Sequence, residues 1–223
     1  MKHQIIARPT YAILEVELDP GDRFVSESGA MAWMDDNVRM ETSSRGGGLA
    51  GLKRKLLAGE SFFQNTYTVE GGRGTIAFAP RSAGDIAEID LDGGSLILEK
   101  SAFLASEEGV VLDSKWEGLR GLFNEGLFVL KASGTGKLFF DAYGQIELVE
   151  VDGEYVVDNG FAVAWDSSLS YKLTRARKIR SFLFSDQLLL RFSGRGRLWV
   201  QSRSPQSLAN FLYPFRPQKS NNS

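Results

Sequence analysis

The amino-acid sequence predicts an all-β fold made of three tandem repeats of about 60 residues. A Gly-x-Gly motif followed by an alternating apolar strand occurs three times, at Gly74, Gly136 and Gly196. A second block repeats in step with it, starting at residues 20, 92 and 152. Such self-similarity is typical of one supersecondary unit copied in tandem. We therefore expect three units around a pseudo-threefold axis, in a prism-like or barrel-like body.

Alternation of apolar and polar residues predicts half-buried strands over 11–18, 75–79, 85–91, 137–142, 145–151 and 197–202. The chain contains 24 glycines, and many stand in pairs typical of turns. The Gly-x-Gly motifs, Asp92-Gly93-Gly94 and Asp152-Gly153 are predicted to form tight hairpins, because such turns need positive φ.

The three repeats are predicted to span about residues 1–79, 80–142 and 143–203, within one domain over 1–213. Ser204 and Pro205 are a typical N-cap and first residue of a helix. They predict a short C-terminal helix over 205–212. The polar residues 214–223 are predicted to form a flexible tail.

Composition excludes several classes of site. The 223 residues carry a net charge of −2, contain no cysteine, and include His3 as the single histidine. Disulfides, thiolate nucleophiles and cysteine metal sites are therefore excluded. No apolar run has the length of a signal peptide or of the roughly 18 residues that a membrane span needs. We expect a cytoplasmic protein without catalytic, cofactor-binding or metal-binding residues, and therefore not an enzyme.

One stretch in each repeat breaks the alternation, at 45–63, 113–128 and 174–184. In the first stretch, leucines recur at the spacing of one helix face and basic residues fill much of the rest. These stretches predict a surface that contacts a protein partner or, peripherally, an anionic membrane. The alternative is a helix that packs its leucines on the body. The candidate contact residues are Leu49, Leu52, Lys53, Arg54, Lys55, Leu56, Leu57, Trp116, Arg120, Arg177 and Lys178.

Two further patterns resemble functional motifs. Gly46, Gly48 and Gly51 form a G-x-G-x-x-G pattern, but the parallel βαβ context of a dinucleotide site is missing, which favours a glycine loop. The adjacent carboxylates at 35–36 and 107–108 would point to opposite faces of a strand, which favours solvated turns over a shared site.

Tryptophans offer one more candidate. In an alignment of the repeats without gaps, Trp33 and Trp165 fall at the same position, and Trp199 follows the third Gly-x-Gly motif. A platform that stacks bases or sugars is one interpretation. Recurrence at equivalent positions favours packing in the core.

Three blocks carry a family resemblance: LKRKLLAGESFF, the run from GLFVLKASGTG through AWDSS, and LLRFSGRGRLWVQSR. Together they resemble the bacterial and archaeal branch of the altered-inheritance-of-mitochondria family, over about residues 3–210. The resemblance implies three units that are each similar to the subunit of the tryptophan RNA-binding attenuation protein. Eukaryotic relatives are linked to mitochondrial inner-membrane organisation, and no established catalytic residue comes with the family. Phe161 stands where many relatives carry histidine, so a role for that histidine does not apply here.

Three functions follow as hypotheses. The leading one is a non-enzymatic structural or scaffolding protein that acts through partner or peripheral membrane contacts. The alternative is a small-molecule or carbohydrate-binding module with weak hydrolase activity, which predicts a cleft lined by tryptophan and carboxylates in one repeat. RNA binding is third, because the net charge does not favour nucleic acid. A homo-oligomer is compatible with all three, since exposed edge strands favour pairing or ring formation.

Overall fold

The computed structural model describes residues 1–43, 64–113, 128–175 and 188–216. Within these ranges the chain forms strands throughout and one short C-terminal helix, which confirms the predicted mostly-β class. The strands are β1 (Lys2–Ile6), β2 (Ile13–Leu18), β3 (Phe24–Glu27), β4 (Met31–Met34), β5 (Val38–Ser43), β6 (Gln64–Val69), β7 (Gly74–Phe78), β8 (Ile86–Glu99), β9 (Phe103–Glu107), β10 (Val110–Asp113), β11 (Val129–Asp141), β12 (Ile146–Asp158), β13 (Ala162–Asp166), β14 (Ser170–Arg175) and β15 (Leu188–Gln201).

The C-terminal helix α1 (Pro205–Leu212) begins where the sequence predicts it. The hydroxyl of Ser204 accepts a hydrogen bond from the N–H of Ser207 at 3.4 Å, and Pro205 is the first helical residue. A single 3-10 turn at Tyr213–Phe215 follows the helix. Residues 217–223 of the predicted tail lie outside the described residues.

The same arrangement of antiparallel pairs occurs three times along the chain. β7 lies between β2 and β4, β11 between β8 and β9, and β15 between β12 and β13. A further strand is added to each group, because β5 pairs with β6, β10 with β11 and β14 with β15. We refer to these groups as the first (β2–β7), second (β8–β11) and third (β12–β15) segments.

The Gly-x-Gly motifs of the second and third segments do not form the predicted hairpin turns. Gly136 lies inside β11 and Gly196 inside β15, while Gly93 and Gly153 lie inside β8 and β12. Positive φ values, such as 132° at Gly136 and 104° at Gly153, bend these strands without ending their pairing. Separate strands occur at these places only in the first segment, where β2 and β3, and β6 and β7, replace single long strands.

The pairing register also corrects the alignment without gaps. Trp33 pairs with Ala77, whereas Trp199, the counterpart of Ala77, pairs with Ala164 and not with Trp165. Trp165 therefore matches Met34 in the first segment. A comparable offset separates the second and third segments at Gly93-Gly94, where β8 has one residue more than β12 has at its own bend.

Neighbouring segments are joined by strand pairing in one common register. β3 pairs with β9, with Ser26 opposite Ala105. β8 pairs with β13, with Leu98 opposite Ala164, which are the counterparts of Ser26 and Ala105. We call these two pairings the junctions between segments.

The sheets do not close on themselves. In the described ranges β4 pairs with β7 alone and β12 with β15 alone, so these strands lie at the ends of their sheets. A third junction, between β12 and β4, would be needed to complete a threefold body. The prediction of a closed prism or barrel is therefore not confirmed.

Three hydrophobic clusters form the core, one centred on each segment, and strand alternation puts their side chains on the inner faces. The largest fully buried side chains include Phe24, Tyr67 and Phe78 in the first cluster, Phe103 and Phe140 in the second, and Trp165 and Phe192 in the third.

The connections between segments meet at one place. Gly84 and Gly144 form a parallel bridge, and the N–H of Asp85 donates to the carbonyl of Gly144 at 2.9 Å. The guanidinium of Arg8 holds the buried carboxylate of Asp85 through two hydrogen bonds of 2.8 and 2.9 Å. Close to this crossing a cavity opens between the second and third segments.

Candidate functional site

A cavity of about 430 Å³ lies beside the crossing of the connections. Its wall combines the ends of β8, β11 and β15 with the start of α1, and its polar side chains include Glu99, Asp141, Asn159 and Gln201. Small apolar residues, among them Val163, complete the wall. The size is within the range of small-molecule sites in proteins.

Strand alternation explains why a carboxyl group reaches this interior. Phe139 packs in the first cluster and Phe140 in the second, because successive side chains of β11 point to opposite faces. Asp141, two residues after Phe139, shares its face and is only 7% exposed. The carboxyl of Asp141 is thus carried towards the first segment.

Two further carboxylates occupy matching places. Glu27 ends β3 and Glu99 ends β8, each one residue beyond the corresponding junction positions Ser26 and Leu98. Glu27 is 6% exposed and forms an ion pair with Arg81, which also lines the cavity. The carboxylate of Glu99 accepts from the N–H of Ser101 at 2.9 Å and from the hydroxyl of the same residue.

Burial is the main cause of the raised pKa values of these three carboxyl groups. Burial, followed by the negative charge of Glu27, raises the pKa of Asp141 to about 8. Burial also raises the pKa of Glu27 to about 7, against the opposing charge of Arg81. The pKa of Glu99 is raised by burial as well. At neutral pH the cluster therefore holds protons that the same groups would release in water.

Amide groups on the opposite wall are partly satisfied. Gln201 accepts from the N–H of Tyr143 at 2.8 Å and donates to the carbonyl of Gly160 at 2.8 Å. The side-chain oxygen of Asn159 is buried, and no donor reaches it within the described residues. This oxygen is therefore an unsatisfied buried acceptor behind the cavity wall.

The arrangement places proton-holding carboxyls and amides around a cavity that is partly open to solvent. In the part of the chain that the structure describes, no three histidine, cysteine or acidic side chains are placed to hold a metal ion. The cleft predicted for a carbohydrate module is matched only in part, because carboxylates line the cavity but Trp165 and Trp199 pack in the cores.

The contact surface predicted from the sequence falls outside the described residues and stays a prediction. The same applies to the glycine pattern at Gly46, Gly48 and Gly51. The residues concerned are Leu49, Leu52, Lys53, Arg54, Lys55, Leu56, Leu57, Trp116, Arg120, Arg177 and Lys178.

The tryptophans differ in their surroundings. Trp165 and Trp199 are buried, as the packing interpretation predicts. Trp33 is 47% exposed on β4, so its predicted place in the core is wrong. The reason is that β4, unlike β9 and β13, pairs with no strand of a neighbouring segment in the described ranges.

Sequence reasoning missed the carboxylates of the cavity. Glu27, Glu99 and Asp141 each end a run of mostly apolar strand residues, FVSE, LILE and LFFD. An acidic residue at the end of a buried strand could have indicated this site, because charged side chains are rarely buried unless they are paired.

None of the helices in the described ranges has the length and hydropathy that crossing a bilayer requires.

Comparison with known proteins places the chain in a family. An uncharacterised protein of Streptococcus pyogenes serotype M6 is 27% identical, over 99% of this chain and 93% of the relative. The crystal structure of the protein SPYM3_0169 from Streptococcus pyogenes superimposes with a TM-score of 0.77 at 26% identity, over 96% of this chain and 99% of that one. The family described as mitochondrial biogenesis AIM24 matches residues 3–203, and the chain therefore belongs to the AIM24 family.

Proposed function

We propose that this AIM24 family protein is a non-enzymatic scaffold that assembles with copies of itself through the open edges of β4 and β12. Its relative in Streptococcus pyogenes is itself uncharacterised, so the proposal is argued from the strands alone. The observation that carries it is that β12 and β4 are the two halves of a junction that the fold already uses twice.

The exposed residues of β4 support this proposal. Trp33 and Met34 are 47% and 38% exposed. Their counterparts in β9 (Ala105 and Ser106) and β13 (Ala164 and Trp165) are buried, because β3 or β8 lies beside them. A strand placed beside β4 would remove the same apolar surface from water.

The far half of β12 has the complementary surface. Tyr155 and Val156 are 40% and 43% exposed. Their counterparts in β8, Leu96 and Ile97, are 1% exposed, because β13 pairs with them. Continuing the common register pairs Val156 with Met34 of the next copy.

The occupant of each edge is therefore a second copy of this chain. Because β12 of one copy would meet β4 of another, the contact joins two different surfaces. Head-to-tail contacts of this kind extend into rings or open chains, and unpaired strand edges are templates for such addition. A scaffold built in this way would present the rest of its surface to protein partners in several copies.

Complementing variants test the proposal. Met34→Lys blocks β4 but keeps β12, and Val156→Lys blocks β12 but keeps β4. We expect the unmodified chain to form oligomers in sedimentation velocity at micromolar concentrations, and each variant to sediment as a monomer. An equimolar mixture of the two variants should form dimers, since one intact junction remains between them.

Val111→Lys is the matched control, because Val111 is 51% exposed on β10, which belongs to neither of the two proposed contacts. This variant should assemble like the unmodified chain. A monomeric unmodified chain at several hundred micromolar contradicts the proposal. So does unchanged assembly of both blocked variants.

A further inference from the structure

We infer that α1 and the 3-10 turn after it bind the surface of an anionic lipid membrane. The contact is made by four side chains that we call the C-terminal stripe: Leu208, Phe211, Leu212 and Phe215. This surface is separate from the edges of β4 and β12, and none of its residues belongs to the contact surface that the sequence predicts.

The first argument is the exposure of the whole C-terminal element. No residue of α1 is buried, and every residue from 205 to 216 is exposed. Within the stripe, Phe211 and Phe215 are 67% and 74% exposed. Nowhere else in the described ranges do so many large apolar side chains lie exposed over so short a stretch. A contiguous patch of this kind marks a site of interaction with a protein or a membrane.

The second argument is the arrangement of these side chains. The stripe follows the spacing i, i+3, i+4 and i+7, which is one face of a helix. The ring centroids of Phe211 and Phe215 are 5.8 Å apart, so the stripe continues into the 3-10 turn. On the opposite face the amide of Gln206 donates to the side-chain oxygen of Asn210 at 2.9 Å. A helix with one apolar and one polar face lies in the plane of a membrane surface.

The charge around the stripe favours an anionic surface. No acidic residue follows Asp186 in the sequence, whereas six basic residues do. Arg203 and Arg216 flank the stripe, and among the described residues their guanidinium groups donate only to backbone carbonyls. Because no carboxylate competes for them there, both cations can pair with the headgroups of anionic lipids.

Tyr213 and Arg216 form a contact that suits the headgroup region. The guanidinium carbon of Arg216 lies 3.4 Å from the centroid of the Tyr213 ring, and Tyr213 is 62% exposed. This stacking keeps the cation beside the apolar stripe. Aromatic rings with a polar group, and cations on long side chains, favour the boundary between water and lipid. The stripe can thus enter the acyl boundary while both groups stay at the headgroups.

A groove on another protein is the other occupant that an apolar helix face can fit. The exposed element comprises only residues 205–216, whereas a stable protein–protein interface takes about 20–30 residues from each side. A lipid surface sets no such minimum, because each inserted side chain adds to the binding on its own. The small size of the element therefore favours lipid.

Flotation with vesicles tests the inference. We expect the unmodified chain to float with phosphatidylcholine vesicles that contain phosphatidylglycerol, and not with vesicles of phosphatidylcholine alone. Raised salt should weaken the binding, because it screens the attraction to the headgroups. Phe211→Ser combined with Phe215→Ser should lower the binding at least about tenfold, since two inserted rings are lost. Because both side chains are exposed, this variant should keep the melting temperature of the unmodified chain.

Two further variants separate the contributions. Arg203→Gln combined with Arg216→Gln keeps the stripe and should lose the preference for anionic vesicles. Val111→Ser is the matched control, because it removes an apolar side chain that is 51% exposed on β10. That variant should float like the unmodified chain.

The inference is overturned if the unmodified chain binds neither kind of vesicle, or binds both equally at low salt. Unchanged flotation of the double phenylalanine variant also overturns it, because the contact then lies at another surface, such as residues 49–57. If the unmodified chain forms an oligomer that does not float, and the phenylalanine variant dissociates it, the stripe binds a second copy and the membrane inference is wrong.

Discussion

At the scale of single residues, Asp141 shows how the alternation of a strand can bury a carboxyl group. Two buried phenylalanines precede it, and the alternation of β11 then carries a carboxyl into an apolar interior. Glu27 and Glu99 reach the same region from the ends of β3 and β8. Arg81 forms an ion pair with Glu27 and also lowers the pKa of Asp141, but burial of Asp141 outweighs this effect.

This burial predicts a pH dependence of stability. The folded chain holds a proton on Asp141 up to about pH 8, whereas the unfolded chain releases it near the ordinary value of 3.8. Because the native state binds more protons in this window, the free energy of unfolding should fall as pH rises through it. The pKa values of Glu27 and Glu99 shift in the same direction, and the charge of Arg81 opposes the shift of Glu27.

Asp141→Asn isolates this contribution, because the amide cannot ionise. The free energy of unfolding should depend less steeply on pH in the variant, by up to about 1.4 kcal/mol per pH unit. Urea unfolding from about pH 5 to about pH 9 measures the difference. Asp92→Asn should keep the unmodified profile, and parallel profiles for Asp141→Asn and the unmodified chain would disprove the expectation.

At the scale of elements, the segments depend on close approach of their connections. Gly84 and Gly144 form a parallel bridge where two connections cross. A Cβ at Gly84 would overlap the carbonyl oxygen of Ala142 and lie 2.8 Å from the nitrogen of Gly144. Because the obstacles are backbone atoms, they cannot move aside as a flexible side chain would.

Gly84→Ala should therefore destabilise the fold, by at least about 2 kcal/mol, since it forces the connections apart. Gly94→Ala is the matched control, because no atom lies within 4 Å of its added Cβ and its φ is not positive. That substitution should change the free energy of unfolding by less than about 0.5 kcal/mol. Equal effects of the two substitutions in urea unfolding would show that the crossing does not constrain the fold.

The elements also show how far sequence patterns reach. Period-two alternation predicts the strands well, because burial on one face determines it, and the Ser204-Pro205 pair predicts α1 at its observed bounds. The length of the long strands was not predicted. In the sequence, a glycine that bends a paired strand cannot be distinguished from a glycine that ends one. Trp33 is misplaced because its burial depends on a neighbouring strand and not on its own strand.

The cavity could not be predicted from the sequence either, because it too depends on contacts between distant elements. Asp141 and Asn159 belong to different elements, and they line one cavity only because the end of β11 and the turn after β12 meet there. Local patterns carry no information on such long-range encounters. An acidic residue at a strand end is compatible with solvent exposure until the tertiary packing is known.

At the scale of the whole molecule, β4 and β12 each lack the junction that β9 and β13 form with β3 and β8 in the described ranges. Each internal junction buries apolar strand residues on both sides, and the same positions of β4 and β12 stay exposed. A chain with one unused half-junction at each end can extend by adding copies. The proposed scaffold function thus follows from an incomplete symmetry and not from a catalytic group.

Self-assembly couples stability to concentration. If copies join through β4 and β12, the assembled native state is favoured by mass action, and the melting temperature should rise with protein concentration. A hundredfold increase above the dissociation constant corresponds to about 2.7 kcal/mol of stabilisation. Differential scanning fluorimetry over a concentration series measures this rise. Met34→Lys should melt at one temperature throughout the series, because its blocked β4 edge prevents extension, while Val111→Lys should follow the unmodified chain. If the melting temperature of the unmodified chain does not depend on concentration, its native state is a monomer and the proposed assembly is wrong.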